Sequence, residues 1–233
     1  MDLKEIGRVD PKHHWYYQSK AFCLASEISR HQSGVARILD VGAGSGFFSE
    51  HLIAEGLSDS AVCVDPNYTN DQLGCRNGLT FVRSVSPDQG SVTDLVLMID
   101  VLEHVDDDAA LLRAYRDLVP SGTLFLISVP AFQFMWSSHD VFLEHRRRYT
   151  RSELEQSIAN AGLKLLRARY IFGTFLPLAY VARKVGRQES KNSSLRKGNA
   201  FFGRALAATA RLEERYITNV RGGLTVLAAA RSL

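Results

Sequence analysis

Proline and cysteine are scarce in this chain, and long apolar runs are missing. Six prolines and 17 glycines among 233 residues are too few for a fibrous or disordered polypeptide. The three cysteines, Cys23, Cys63 and Cys75, are odd in number and lack metal-ligand spacing. They read as reduced thiols, so the expected location is cytoplasmic. The longest uncharged stretch, Leu118 to His139, is interrupted by Pro120, Gly122 and Pro130, which argues against a spanning helix. A second, Tyr170 to Ala182, is only 13 residues long. No apolar run follows Asp2, Lys4, Glu5 and Arg8, so no secretory signal is expected. Internal repeats are absent.

What is present fits a single domain over 1–233. Hydrophobic residues make up 45% of the chain and charged residues 23%, enough for one large core. The net charge of +3 conceals a split. Residues 1–145 hold 10 Lys/Arg and 20 Asp/Glu, a balance of −10, while 146–233 hold 18 and 5, a balance of +13. A basic part of this kind suits an anionic partner such as a phosphate, a membrane surface or nucleic acid.

Strand and helix patterns alternate. Short apolar runs at Arg37–Val41, Ala61–Val64, Leu79–Val82, Leu95–Ile99 and Thr123–Val129 read as buried strands, followed by Leu163–Ile171 and Leu224–Ala230. Helices are expected over 13–31, over 47–55, over 107–118 and from Thr150 to near Gly162, the last opened by the capping box Thr150-x-x-Glu153. Phe201, Ala205, Ala208, Leu212 and Tyr216 mark a further helical face, and 183–197 reads as a basic loop. The order predicts an α/β fold with a doubly wound, mostly parallel sheet of seven strands.

The most informative segment is Leu39-Asp40-Val41-Gly42-Ala43-Gly44-Ser45-Gly46-Phe47, between a strand and a helix. Its glycines allow close approach of a ligand to the backbone. Phe47 stands where the dinucleotide fingerprint needs its third glycine, which argues against an NAD-dependent oxidoreductase. Asp65, ending the second strand before Pro66, can accept hydrogen bonds from ribose hydroxyls; a turn-capping role is the alternative.

These residues together resemble the class I S-adenosylmethionine-dependent methyltransferases, in particular a bacterial small-molecule subgroup. The likeness extends through Asp94–Val105, the Leu118-Val119-Pro120-Ser121-Gly122 turn, His145-Arg146-Arg147-Arg148-Tyr149-Thr150 and the opening His14-Trp15-Tyr16-Tyr17. It implies a Rossmann-like fold with helical additions, and S-adenosylmethionine as cofactor. Gly42, Ala43 and Gly44 would surround the methionine part, Asp65 and Pro66 the ribose, and Asp100 would lie beside the cofactor. Asp40 would help place the amino group, and Trp15 and Tyr17 would form part of an N-terminal lid over 1–35. The stretch 36–145 would be the cofactor half and 146–233 the acceptor side. Relatives carry an acid after the third strand for the adenine amine; here the residues are Ser84-Val85-Ser86.

Three histidines are candidate general bases for a hydroxyl acceptor: His104, His139 and His145. Each also has a structural alternative in a hydrogen-bonded loop. A divalent ion on Asp100, Glu103 and His104 is a further reading, weaker because a magnesium site needs more ligands; the set carries no metal assignment. The expected reaction is transfer of a methyl group to a small molecule, most readily at oxygen. An anionic or lipid-linked acceptor and a peripheral membrane contact fit the basic part. The competing functions are a non-catalytic cofactor-binding protein and a nucleic-acid-binding protein using its basic tail. The latter lacks a stacking-aromatic platform. Nothing in the sequence signals an oligomeric state.

Overall fold

The structure is a computed structural model describing residues 10–32, 34–185, 200–217 and 221–233. Eight strands form one sheet: β1 (Val35–Val41), β2 (Ser58–Val64), β3 (Gly74–Arg76), β4 (Leu79–Val82), β5 (Leu95–Ile99), β6 (Leu124–Pro130), β7 (Lys164–Ile171) and β8 (Thr225–Arg231). Their order is β3-β4-β2-β1-β5-β6-β8-β7. The five strands from β4 to β6 are parallel, while β3, β8 and β7 pair antiparallel to their neighbours.

All seven expected strands are there, and the eighth corrects the count. β3 is Gly-Cys-Arg, exposed throughout, with no apolar residue to mark it. It forms a short hairpin on β4 across the positive-φ residues Asn77 and Gly78. The left-handed backbone at these two positions is what a tight hairpin turn requires.

Alternation along the strands divides the core into two layers. Ile38, Leu95, Leu97, Leu124 and Leu126 face one side, with Tyr17, Ala21, Leu24 and Ile28 of α1 (Trp15–His31) and Phe47, Phe48 and Leu52 of α2 (Phe47–Ala54). Leu39, Val41, Val96, Met98, Phe125 and Ile127 face the other, against Leu112, Leu154 and Ile158 of two further helices. These two helices are α4 (Asp108–Arg116) and α6 (Arg151–Asn160); the others are α3 (Pro87–Ser91), α5 (Ser138–Phe142), α7 (Leu176–Val185) and α8 (Ala200–Tyr216), the last packed along α1. Of the expected loop over 183–197, the first three residues end α7 and the others lie outside the described residues. The same holds for residues 1–9 of the expected lid.

α3 was not expected, although its signal is local. Ser86 is the N-cap, Pro87 the first helical residue, and Gln89 closes a capping box with Ser86. The predicted box at α6 forms too: Glu153 N donates to Thr150 Oγ1 at 3.3 Å, and Thr150 N to Glu153 Oε2 at 2.6 Å. Thr150→Ala removes the acceptor for the Glu153 amide. It is expected to lower the unfolding free energy by about 1 kcal/mol, read as a lower urea midpoint at unchanged m-value.

Candidate active site

The sheet order reverses between β1 and β5, so the crevice at the C-terminal ends of these strands is where an open α/β sheet binds ligands. The glycine loop leaves β1 there. Gly42, Gly44 and Gly46 all have positive φ, at 64°, 53° and 73°. A Cβ on Gly42 would lie 2.7 Å from Val101 Cγ2, so a side chain is excluded by contact as well as by backbone conformation. The loop is tied down by Gly42 N and Ala43 N, which donate to Val64 O at 2.8 and 3.2 Å. Tyr68 Oη donates to Gly44 O at 2.7 Å. Tyr68 was not among the expected site residues.

Asp40 lies buried beneath this loop, its Oδ2 accepting from Ser49 Oγ at 2.7 Å in the first turn of α2. Burial pushes its carboxyl up to about 6; the nearby Asp65 charge adds to this, and the Ser49 bond opposes it. Asp65 sits at the end of β2 and is 8% exposed. Its Oδ1 accepts from Asn67 N at 2.9 Å, the turn-capping arrangement, while the other carboxylate oxygen accepts no hydrogen bond among the described residues. Pro66 is exposed in that turn. Ser86, one of the residues that stand where an acid was expected after the third predicted strand, is taken up as the α3 cap.

A second group of expected residues meets in one cavity, beside the loop across the Gly42–Val101 contact. Trp15, Tyr17, Asp100, His104, His139 and His145 all line it. Trp15 packs on Phe175 with ring centroids 5.1 Å apart. Tyr17 is 4% exposed and packs edge-on against Phe47, so most of it belongs to the core.

Asp100 has a partner that sequence reasoning missed. Lys20, with no exposed surface, donates from Nζ to Asp100 Oδ2 at 2.5 Å and lies 4.9 Å from the Tyr16 ring centroid. Ser128 Oγ donates to Asp100 Oδ1 at 3.1 Å. Burial favours the protonated acid, but the Lys20 charge and hydrogen bond outweigh it and hold the Asp100 carboxyl below its usual value. The one available signal was a lysine among the apolar positions Tyr17, Ala21 and Leu24 of α1.

His145 Nδ1 lies 3.0 Å from Asp140 Oδ1, which also accepts from Arg148 Nε at 2.7 Å. Asp140 Oδ2 accepts from Ser137 N and Oγ at 2.8 and 2.9 Å. Burial opposes its ionisation, yet the bonds from His145 and Arg148 keep the carboxyl below its usual value. An ionised, fully bonded Asp140 fixes the imidazole so that Nε2 is the atom offered outward. The His104 ring stands edge-on to it, centroids 4.8 Å apart.

Glu103 is fully buried and neither carboxylate oxygen is hydrogen-bonded. Burial, and after it the Asp100 charge, push it well above the usual carboxylate range. Glu103, His104 and His145 bring ligand atoms within 4.8 Å of one another and could hold a divalent cation. In this cluster His145 stands where the weaker sequence reading had Asp100, whose carboxylate is paired with Lys20.

A protein-family profile described as a methyltransferase domain matches residues 12–168. This chain belongs to the methyltransferase domain family. A ubiquinone biosynthesis O-methyltransferase of Xanthomonas campestris pv. campestris is 33% identical to the methyltransferase over 102 residues, covering 39% of this chain and 42% of that protein. The match therefore spans less than half the length of that relative. Among solved structures, a SAM dependent methyltransferase from Archaeoglobus fulgidus aligns with a TM-score of 0.54 at 16% identity, over 91% of this chain and 94% of that one. The [4+2]-cyclase SpnF aligns equally well, with a TM-score of 0.54 at 16% identity over 90% and 79%. Likeness at this identity shows the fold, and the fold is shared with a cyclase, so the reaction must be argued from the site.

Asp40 offers a test of the site's electrostatics. An acid whose folded pKa is raised costs stability as pH rises from its unfolded value, near 4, through about 6. Asp40→Asn should flatten that part of the stability–pH curve, by up to about 3 kcal/mol relative to the parent, measured by urea unfolding at stepped pH.

Proposed function

We propose that this methyltransferase moves a methyl group from S-adenosylmethionine to an oxygen of a small-molecule acceptor by in-line displacement. The observation that carries the reading is the side-by-side placement of the glycine loop and a cavity holding an Asp140-oriented His145. The residues fit the cofactor. Gly42 and Gly44 present bare backbone in a conformation side chains rarely adopt, and Asp65 keeps one carboxylate oxygen for ribose hydroxyls. S-adenosylmethionine, when bound, supplies an activated sulfonium methyl, so the chain's task is mainly alignment. Gly42, Ala43 and Gly44 set the position of the donor. Trp15 and Tyr17 close the side of the cavity that α1 provides. His145 takes the hydroxyl proton of the acceptor at Nε2, with Asp140 stabilising the imidazolium that results. His104 and His139 line the same cavity as alternative proton acceptors.

A second activation route is favoured by Glu103, whose two unbonded oxygens suit a cation better than they suit an apolar wall. A divalent ion on Glu103, His104 and His145 would act as a Lewis acid on the acceptor hydroxyl. The basic balance of 146–233 supports an anionic or lipid-linked acceptor. Leu178 and Val181 of α7, 62% and 55% exposed, support a peripheral membrane contact. Among the described residues, no helix is long and apolar enough to cross a membrane. A cytoplasmic location belongs to the same proposal and rests on the three free thiols.

Calorimetry should show saturable binding of S-adenosylmethionine and none of NAD; the reverse result would sink the reading. Asp65→Ala should weaken cofactor binding about tenfold or more, as expected for losing hydrogen bonds to a charged acceptor. Methyl transfer measured after dialysis against EDTA separates the two activation routes. Retained activity that falls about 100-fold or more in His145→Ala assigns proton removal to His145, whereas activity restored only by added magnesium or zinc assigns the ion.

A further inference from the structure

Asp100 and Arg148, which line the cavity, are each neutralised by a partner: Asp100 by Lys20 at 2.5 Å and Arg148 by Asp140 at 2.7 Å. The Glu103 carboxyl, which also lines it, has no hydrogen-bond partner among the described residues, and burial pushes it toward its neutral form. Arg183, in the last turns of α7, lines the same cavity and is matched by nothing. No Asp or Glu carboxylate among the described residues lies within ion-pairing distance of it. Asp140 is its nearest candidate, but both Asp140 oxygens are committed, to His145, Arg148 and Ser137.

Among the described residues the Arg183 guanidinium makes one hydrogen bond, from Nη1 to the Met135 carbonyl, which anchors it against the segment after β6. A guanidinium carries five N–H donors, so most of them remain for a ligand. Burial, and next the like charge of Arg148, lower its pKa to about 10. It is still a full cation at neutral pH, and the opposite charge of an anion would offset both effects. The surrounding wall is ring-bearing and apolar: Trp15, Tyr16, Ile99, Pro130 and Leu143.

We propose that Arg183 is the anion-binding residue of the acceptor pocket, and that the acceptor is a hydroxylated ring compound bearing a carboxylate or phosphate group. This rests on the methyl-transfer reading for the word acceptor, but not for the anion site itself. A planar fork pairs with either group through two parallel hydrogen bonds. The apolar wall takes the ring, and His145 lies at the same cavity to meet the hydroxyl.

The test uses fragments that cannot be methylated at a hydroxyl, in the absence of S-adenosylmethionine, so that it stands apart from catalysis. Binding of benzoate, phenyl phosphate and benzamide at millimolar concentration is followed by calorimetry or ligand-observed NMR. The parent protein should bind at least one of the two anions about tenfold or more tighter than benzamide, and their ranking tells carboxylate from phosphate. Arg183→Met should abolish the preference while leaving benzamide binding and the thermal melt in place. Arg183→Lys, which keeps the charge without the fork, should retain part of it. Equal affinity for anions and amide in the parent, no anion binding, or a preference that survives in Arg183→Met would overturn the proposal. Any of these with normal S-adenosylmethionine binding would leave the methyl-transfer reading standing.

Discussion

The contact on which the site's arrangement depends is the one between Lys20 and Asp100. An ammonium with no exposed surface would be strongly destabilising alone, and the carboxylate that neutralises it lies 80 residues away in sequence, at the mouth of β5. The pair fixes α1 over the crevice and so decides where Trp15, Tyr16 and Tyr17 stand. It also holds Asp100 at a φ of 56°, outside the usual backbone region, with Ser128 of β6 completing the grip. Removing either partner would strand the other in a place water reaches poorly, at a cost of about 3 kcal/mol.

Around this pair the chemistry divides by secondary structure. The glycine-loop side is almost all backbone: glycines at positive φ, amides bonded to Val64, a carbonyl held by Tyr68. The cavity side is all side chain: two ion pairs, three imidazoles and a buried carboxyl, brought in by α1, by the segments after β5 and β6, and by α7. Backbone geometry suits a ligand that is the same in every turnover. Side chains are what a protein changes to take a different acceptor, and the shared fold of methyltransferases and the cyclase SpnF fits that division.

The same division explains what could be read in the sequence. Strands buried on both faces announce themselves as Ile-, Leu- and Val-rich runs, and the glycine loop has a fixed spacing, so the sheet and the place of that loop between β1 and α2 were legible. Asp65 and the capping box at Thr150 are local arrangements, closed within three residues. β3 was not legible because Gly-Cys-Arg has no apolar member. α3 was overlooked despite Ser86-Pro87-Asp88-Gln89, a signal that was present. Lys20, Tyr68 and Arg183 were beyond reach for a different reason. Each acts on a partner 80, 24 or 48 residues away, and pairings across such distances exist only once the sheet has brought the segments together. His145 was on the page as a candidate, but its distinction from His104 and His139 came only with Asp140.

The position of β8 has a consequence for how the protein is made. It lies between β6 and β7 and is the last of the eight strands in the chain. Among the described residues β7 bonds to no other strand, and its register is set by β8. During synthesis, the parallel half of the sheet and its glycine loop can assemble while β7 waits with its backbone donors and acceptors open to water. Arg231, at the end of β8, then bonds to the carbonyls of Gly122 and His31 and ties the start of β6 to the end of α1. The glycine loop can thus be shaped before β8 joins the sheet, whereas the cavity is completed only with it, because Leu224 and Thr225 line the cavity.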